Sequence, residues 1–144
     1  MRKMALVMAI MAVVLLSATV LWAQSPLGKW KPVNEKTGKS STIVSIYEQN
    51  GLIYGKIIEM LNPAEKNNIC DKCEGEDKGK PILGLVIIKN LKADDDEYSG
   101  GTILDPGSGK VYKSKLKVIE GGKKMKVSGC ILFICRAQTW LKMD

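Results

Sequence analysis

The residues best suited to chemistry in this chain are four cysteines, Cys70, Cys73, Cys130 and Cys135, and there is no histidine to support them. That absence removes the commonest general base and the commonest zinc ligand together. A Ser-His-Asp or Cys-His arrangement cannot be built. Glu48, Glu59 and Glu65 are scattered, and nothing in their spacing forces two carboxylates together as glycoside hydrolysis requires. The pattern argues against a hydrolase, and no catalytic residue, metal site or cofactor is assigned.

Cys70-Asp71-Lys72-Cys73 has the spacing used for thiol exchange, for zinc and for loop-tying disulfides. A redox motif opens a helix after a buried strand, whereas this pair lies in a polar stretch, with Asn67-Asn68 before it and Glu74 to Lys80 after it. The neighbouring Asp71 and Glu74 would raise a thiol pKa rather than lower it. A zinc ribbon would need Cys130 and Cys135 as its second half, but their four-residue spacing within an apolar run is wrong for zinc. A disulfide between Cys70 and Cys73 is therefore expected. In a regular strand Cys130 and Cys135 point to opposite faces. Cys130 would lie outside beside Lys113, whose ammonium favours a thiolate, and Cys135 inside as a buried free thiol. Neither is given a role.

The start of the chain bears on the redox question. Met1-Arg2-Lys3 is basic, Met4 to Leu16 carries no polar side chain, and Ala23 precedes Gln24-Ser25-Pro26. This is the layout of a secretory signal peptide, residues 1–23, cut after Ala23; the alternative is an uncleaved anchor. An exported protein, periplasmic or secreted, meets oxidising conditions that suit disulfides. Residues 24–144 make one domain, and losing Arg2 and Lys3 takes the formal charge from +7 to +5. With no arginine cluster and few aromatics, nucleic acid is not expected as a partner, and membrane contact is expected only through the signal peptide before cleavage.

Short β-rich runs separated by turns position these residues. Ser41–Gln49 and Leu52–Met60 flank Asn50-Gly51, a strong two-residue hairpin signal. Ile82–Leu91 reads as a strand buried on both faces, and the acidic run Asp94–Glu97 as a solvated turn. Tyr98–Leu104 is a further strand in which Gly100-Gly101 marks a bulge or close approach, and Asp105–Gly109 is a turn. If Gly121-Gly122 joins Lys110–Glu120 to Lys123–Phe133, then Val118 faces Met125, Leu116 faces Val127 and Lys117 faces Lys126. One face of that hairpin is apolar and the other is lined with lysine, which reads as a solvated outer face. With strands at Trp30 and near Trp140, about eight short strands result, an all-β chain best closed as a small antiparallel barrel.

Gly28-Lys29-Trp30 on the first strand, with Arg136 ahead of Gln138-Thr139-Trp140 on the last, is similar to the lipocalin and fatty-acid-binding-protein superfamily. The resemblance implies that Trp30 and Arg136 close the barrel floor by cation–π stacking and hydrogen bonds. Over the whole mature chain the sequence also resembles the exported bacterial family called domain of unknown function 2147. The residues that carry this are Asn50 to Ile57, Cys70 to Cys73, Lys80 to Leu85, Gly100 to Pro106, Gly109 to Tyr112 and Arg136 to Trp140. What it implies is a lipocalin-like barrel without an assigned biochemical role. Cys130 and Cys135 stand where the family has an aromatic and a glycine, so they inherit nothing from it.

The function expected is non-enzymatic: a barrel holding a small apolar or amphipathic ligand, lined from Tyr54, Tyr112, Leu116, Val118 and Val127, with Leu52 and Ile131 also inward. The alternatives are an envelope interaction protein with a filled interior, docking through its lysine face or the long loop 61–80, and a thiol–disulfide oxidoreductase using Cys70 and Cys73.

Overall fold

The computed structural model describes residues 23–144; the signal-peptide reading, except for Ala23, falls on residues outside that range. Eight antiparallel strands run in sequence order around one closed barrel: β1 Gly28–Pro32, β2 Thr42–Gln49, β3 Leu52–Met60, β4 Val86–Asp94, β5 Glu97–Asp105, β6 Lys110–Ile119, β7 Lys124–Ile131 and β8 Ile134–Lys142. Closure comes from β1 pairing with β8, where Trp30 lies opposite Lys142 and Pro32 opposite Trp140. Because every strand has two neighbours over part of its length, most of the edges that a small sheet would expose are removed.

Alternation drives this arrangement. Along β6, Ser114, Leu116 and Val118 are buried while Lys113, Lys115 and Lys117 face solvent. Their partners across β7 are Gly129, Val127 and Met125 on the inner face and Cys130, Ser128 and Lys126 on the outer, as the sequence register requires. The turn differs from the two-glycine loop expected. Glu120 to Lys123 form four turning residues, with Glu120, Gly121 and Gly122 all at positive φ, and the register is kept because two residues are added symmetrically. Asn50-Gly51 makes the tight hairpin, with φ of 53° and 75°. Gly101 is needed because a Cβ there would collide with the backbone of Lys89 to Leu91, and the β5–β6 register shifts between Tyr98 and Gly101.

Ile82–Leu91 is not one strand. Ile82 to Leu85 is a bend held by the Ile57 backbone, which accepts from Gly84 N–H and donates to Leu85 C=O, and β4 begins only at Val86. Pro81 and Gly84, at φ 92°, break the extended run. The apolarity nevertheless has a structural reason. Ile88 faces inward opposite Ile103, while Ile87 and Leu104 lie on the outer wall and are still buried, sharing a cluster with Cys70, Cys73 and Leu85. The loop 61–85 thus folds against the outside of β4 and β5 and against the β5–β6 turn at the rim.

Inside, Trp30, Val44, Ile46, Ile53, Ile57, Leu116, Met125, Val127 and Trp140 are buried and pack on one another. Gly55 has no room for a side chain, since a Cβ there would sit 3.0 Å from both Ile46 and Ile88. Most of the barrel is a packed core, as small barrels allow.

Candidate functional site: the barrel mouth

The two ends of the barrel are built differently. At the end carrying the Asn50-Gly51 and Glu120–Lys123 turns, Trp30 is fully buried and donates from its indole Nε1 to Pro26 C=O at 2.7 Å. The Lys142 ammonium stands 4.7 Å from the Trp30 ring centroid and donates to Leu27 C=O at 2.7 Å. It crosses directly over Gly28, where a Cβ would collide with it. The expected cation–π closure therefore exists, but Lys142 supplies the cation and Arg136 does not. Arg136 is six residues earlier on β8, roughly 20 Å along the strand at 3.3 Å per residue, and lies opposite Gly129 near the other end.

At that other end, β1 pairs only with Trp140 to Lys142, so the first half of β8 continues past its neighbour and the β7–β8 hairpin projects. Reading residues up to Phe133 as one strand missed this hairpin, whose two turning residues are Leu132, at φ 53°, and Phe133. Cys130 and Cys135 are direct cross-strand partners with a Cα–Cα distance of 4.1 Å, and they form a disulfide. Cys135 thus lies on the outer face beside Cys130, neither inward nor free, because the turn reverses the chain between them. Above the disulfide four consecutive apolar residues meet solvent: Phe133 is 101% exposed, Leu132 85%, Ile134 72% and Ile131 52%.

Between this hairpin and β6 is a cleft of about 560 Å³, lined by Lys110, Tyr112, Gly129, Ile131, Leu132, Phe133, Ile134 and Arg136. Tyr112, Gly129 and Arg136 belong to the inner-face rows of their strands, so the cleft is the open mouth of the barrel. Its walls are mostly apolar, with the exposed cations of Lys110 and Arg136 at the rim. Ser114, the neighbour of Gly129 in register, is buried, and among the described residues its Oγ has no hydrogen-bond partner.

Of the residues expected to line a ligand, Tyr112 lies in this cleft. Leu116, Val118 and Val127 face inward but are packed in the core below it. Tyr54 faces outward, since Ile53, Gly55 and Ile57 take the inner row of β3. It stacks on Tyr47 at 5.7 Å, donates to Asn90 Oδ1 and lines a separate outer cleft of about 510 Å³ with Asp77, Lys80 and Lys89. Leu52, in the same row as Tyr54, is likewise not part of the interior.

Cys70 and Cys73 form the disulfide expected of them, with Cα atoms 5.3 Å apart. Both are buried, Cys70 completely. Cys70 N–H donates to Lys80 C=O, Gly79 N–H donates to Cys70 C=O, and Lys72 C=O packs where a Cβ on Gly109 would stand. No group of three or more potential metal ligands occurs among the described residues. The resolved pKa perturbations lie at the sealed end. The hydrogen bond and charge of Lys117, 2.8 Å away, hold the Asp96 carboxyl below its ordinary value, and Asp96 raises Lys117 in return. Burial, with a smaller contribution from Glu48, pushes the Tyr98 phenol up.

An eight-stranded closed barrel with one sealed floor and one open mouth is the lipocalin type of architecture. A solved structure described as "Protein HP1028 from the human pathogen Helicobacter pylori belongs to the lipocalin family" superposes with a TM-score of 0.73 at 18% identity, over 83% of this chain and 84% of that one. The chain belongs to the family described as "Uncharacterized protein conserved in bacteria (DUF2147)", whose model matches residues 28–142. A comparison with curated proteins finds no match.

Proposed function

We propose that this protein is an exported, non-catalytic binding module that holds a small amphipathic molecule in the mouth of its barrel. One observation carries the reading: an apolar cleft of about 560 Å³ opens between two exposed cations, Lys110 and Arg136, above an otherwise packed interior. The apolar part of a ligand would lie on Tyr112, Ile131 and Ile134, and an anionic head would meet Lys110 or Arg136 at the rim. The two disulfides support residence in an oxidising compartment, in keeping with a signal peptide over residues 1–23. A thiol-exchange role is disfavoured by the burial of Cys70 and Cys73 and by the absence of histidine.

The test is native mass spectrometry of protein purified gently from a producing cell, with Gly129→Leu as the comparison. A Cβ at Gly129 would stand 3.3 Å from Tyr112, which must give way by a few tenths of an ångström, and the rest of a larger side chain would occupy the cleft that Gly129 lines. Wild type should carry an added mass that an organic extraction removes, and Gly129→Leu should lose it while keeping its fold. An empty wild type that also fails to take up dodecanoate contradicts the reading.

A further inference from the structure

We infer that the β7–β8 hairpin tip is a membrane-docking device: Leu132 and Phe133, with Ile131 and Ile134, insert into the interface of an anionic lipid bilayer, guided by Lys110, Lys113 and Arg136. The tip shares Ile131 to Ile134, Lys110 and Arg136 with the cleft, but insertion does not require that the cleft hold a ligand.

Three observations combine. The tip presents four successive apolar side chains, and Val111 on the adjacent strand adds a fifth at 59% exposed. Scattered single apolar residues on a surface call for no explanation, but a contiguous group on a projecting turn does. The tip is also held in shape. The Cys130–Cys135 disulfide ties its base, and ladder pairs continue on both sides of it, Gly129 to Arg136 and Ile131 to Ile134. An apolar tip that is already ordered loses little conformational freedom when it inserts.

The third observation is charge. From Lys110 to Met143 the cations are Lys110, Lys113, Lys115, Lys117, Lys123, Lys124, Lys126, Arg136 and Lys142, against the single acid Glu120. Glu120 sits at the opposite end of the barrel, paired with Lys124. Lys115 and Lys117 have acidic partners in Glu97 and Asp96. Lys110, Lys113 and Arg136, the cations nearest the tip, are exposed and make no ion pair among the described residues. Asp105 is the acid opposite Lys110 in register, but its carboxylate already accepts from Gly107 N–H and Ser108 Oγ. An apolar point ringed by free cations matches the layering of an anionic bilayer, headgroup charge outside and hydrocarbon beneath.

The same features disfavour a second copy of the chain as the occupant. A symmetric pairing of tips would bring the cations of one copy against those of the other, at a cost in like-charge repulsion. A convex tip also offers no complementary surface to an equally convex partner, whereas a fluid bilayer needs none. The sequence led us to expect membrane contact only before signal cleavage; the tip gives the folded barrel a contact of its own.

The experiment is co-sedimentation with vesicles of phosphatidylglycerol and phosphatidylcholine in equal parts, with phosphatidylcholine alone as the comparison. Protein expressed from the full chain is used in every arm, so residues 1–22 contribute equally. Wild type should bind the anionic vesicles and release them as salt is raised. Leu132→Ser with Phe133→Ser should weaken binding by at least about tenfold, with unchanged circular dichroism, because both side chains are already in water. Lys113→Gln with Arg136→Gln should weaken binding to the anionic vesicles and leave the residual binding to phosphatidylcholine unaltered. As a direct readout, the fluorescence of Phe133→Trp should shift to the blue on anionic vesicles. Equal binding by wild type and the tip variant, or no blue shift, overturns the proposal. So does a tip-dependent dimer in sedimentation velocity, or tip-dependent capture by an acidic peptide, if vesicle binding is lacking. Filling the cleft with Gly129→Leu should leave vesicle binding intact, so this proposal and the ligand reading fail separately.

Discussion

The two ends of this barrel contain similar materials and use them in opposite ways. At the sealed end a large aromatic, Trp30, is completely buried, its indole proton is taken up by Pro26, and a lysine closes over its face. At the mouth an aromatic, Phe133, is completely exposed, and among the described residues no cation stands over its ring. What differs is the extent of β1. Of its five residues, Trp30 to Pro32 pair with Trp140 to Lys142 at the end of β8 and leave the beginning of β8 without a neighbour on that side. A short first strand is enough to turn one end of a closed barrel into a floor and the other into an open surface. The buried aromatics lie at the floor, and the exposed apolar residues of the hairpin tip lie at the mouth.

The largest expected effect tests the floor. Trp30→Ala removes a fully buried indole and leaves Pro26 C=O and the Lys142 ammonium without their partner. It should cost about 3–5 kcal/mol, measured by urea unfolding, and lower the melting temperature by more than about 10 °C. Tolerance of this change would mean that the floor is not where the fold is held.

The two disulfides sharpen the contrast. Cys70→Ser with Cys73→Ser unties a loop whose cysteines sit in the core cluster, and it puts hydroxyls into apolar surroundings. A loss of about 2 kcal/mol or more is expected. Cys130→Ser with Cys135→Ser should lower the melting temperature less, because the tip can open without disturbing the core. Its signature should instead be faster amide hydrogen exchange from Ile131 to Arg136. Equal losses of melting temperature from the two pairs would break the comparison.

The smallest effect belongs to Asp96 and Lys117. The native Asp96 pKa lies below its unfolded value, so the pair's contribution is present above the ordinary carboxylate pKa of 3.8 and is lost as pH falls through the lowered native value. Asp96→Asn should therefore show a slight deficit near about pH 7 that disappears near about pH 2. Since both groups are in solvent, added salt should shrink the deficit as well.

The strand pattern was legible in the sequence wherever alternation was regular. The β6–β7 register follows from Leu116, Val118, Met125 and Val127 alternating with lysines, and Asn50-Gly51 marks the β2–β3 turn without ambiguity. The all-β barrel followed from the number of such short strands, and the Cys70–Cys73 disulfide from its polar loop, its acidic neighbours and the missing histidines. The mouth was hidden because the β7–β8 turn is made of Leu132-Phe133, residues typical of a strand interior, with no glycine, proline or asparagine to signal it. Missing that turn misplaced Cys135 and hid its bond to Cys130. The floor cation was misassigned for a different reason. Arg136 and Lys142 are both cations near the C-terminus, and only the β1–β8 register decides which one reaches Trp30. Tyr54 was misplaced because both rows of β3 carry large side chains, and the inner row was fixed by Gly55 packing against Ile46 and Ile88.

We take the mouth, and not the interior, to be the binding surface. The most direct measurement is a backbone amide chemical-shift titration of isotope-labelled protein with dodecanoate. Shifts are expected around Lys110 to Tyr112 and Gly129 to Arg136, with Trp30, Leu116 and Val127 unmoved. Shifts centred on the interior row, or no shifts at concentrations below micelle formation, would contradict the account.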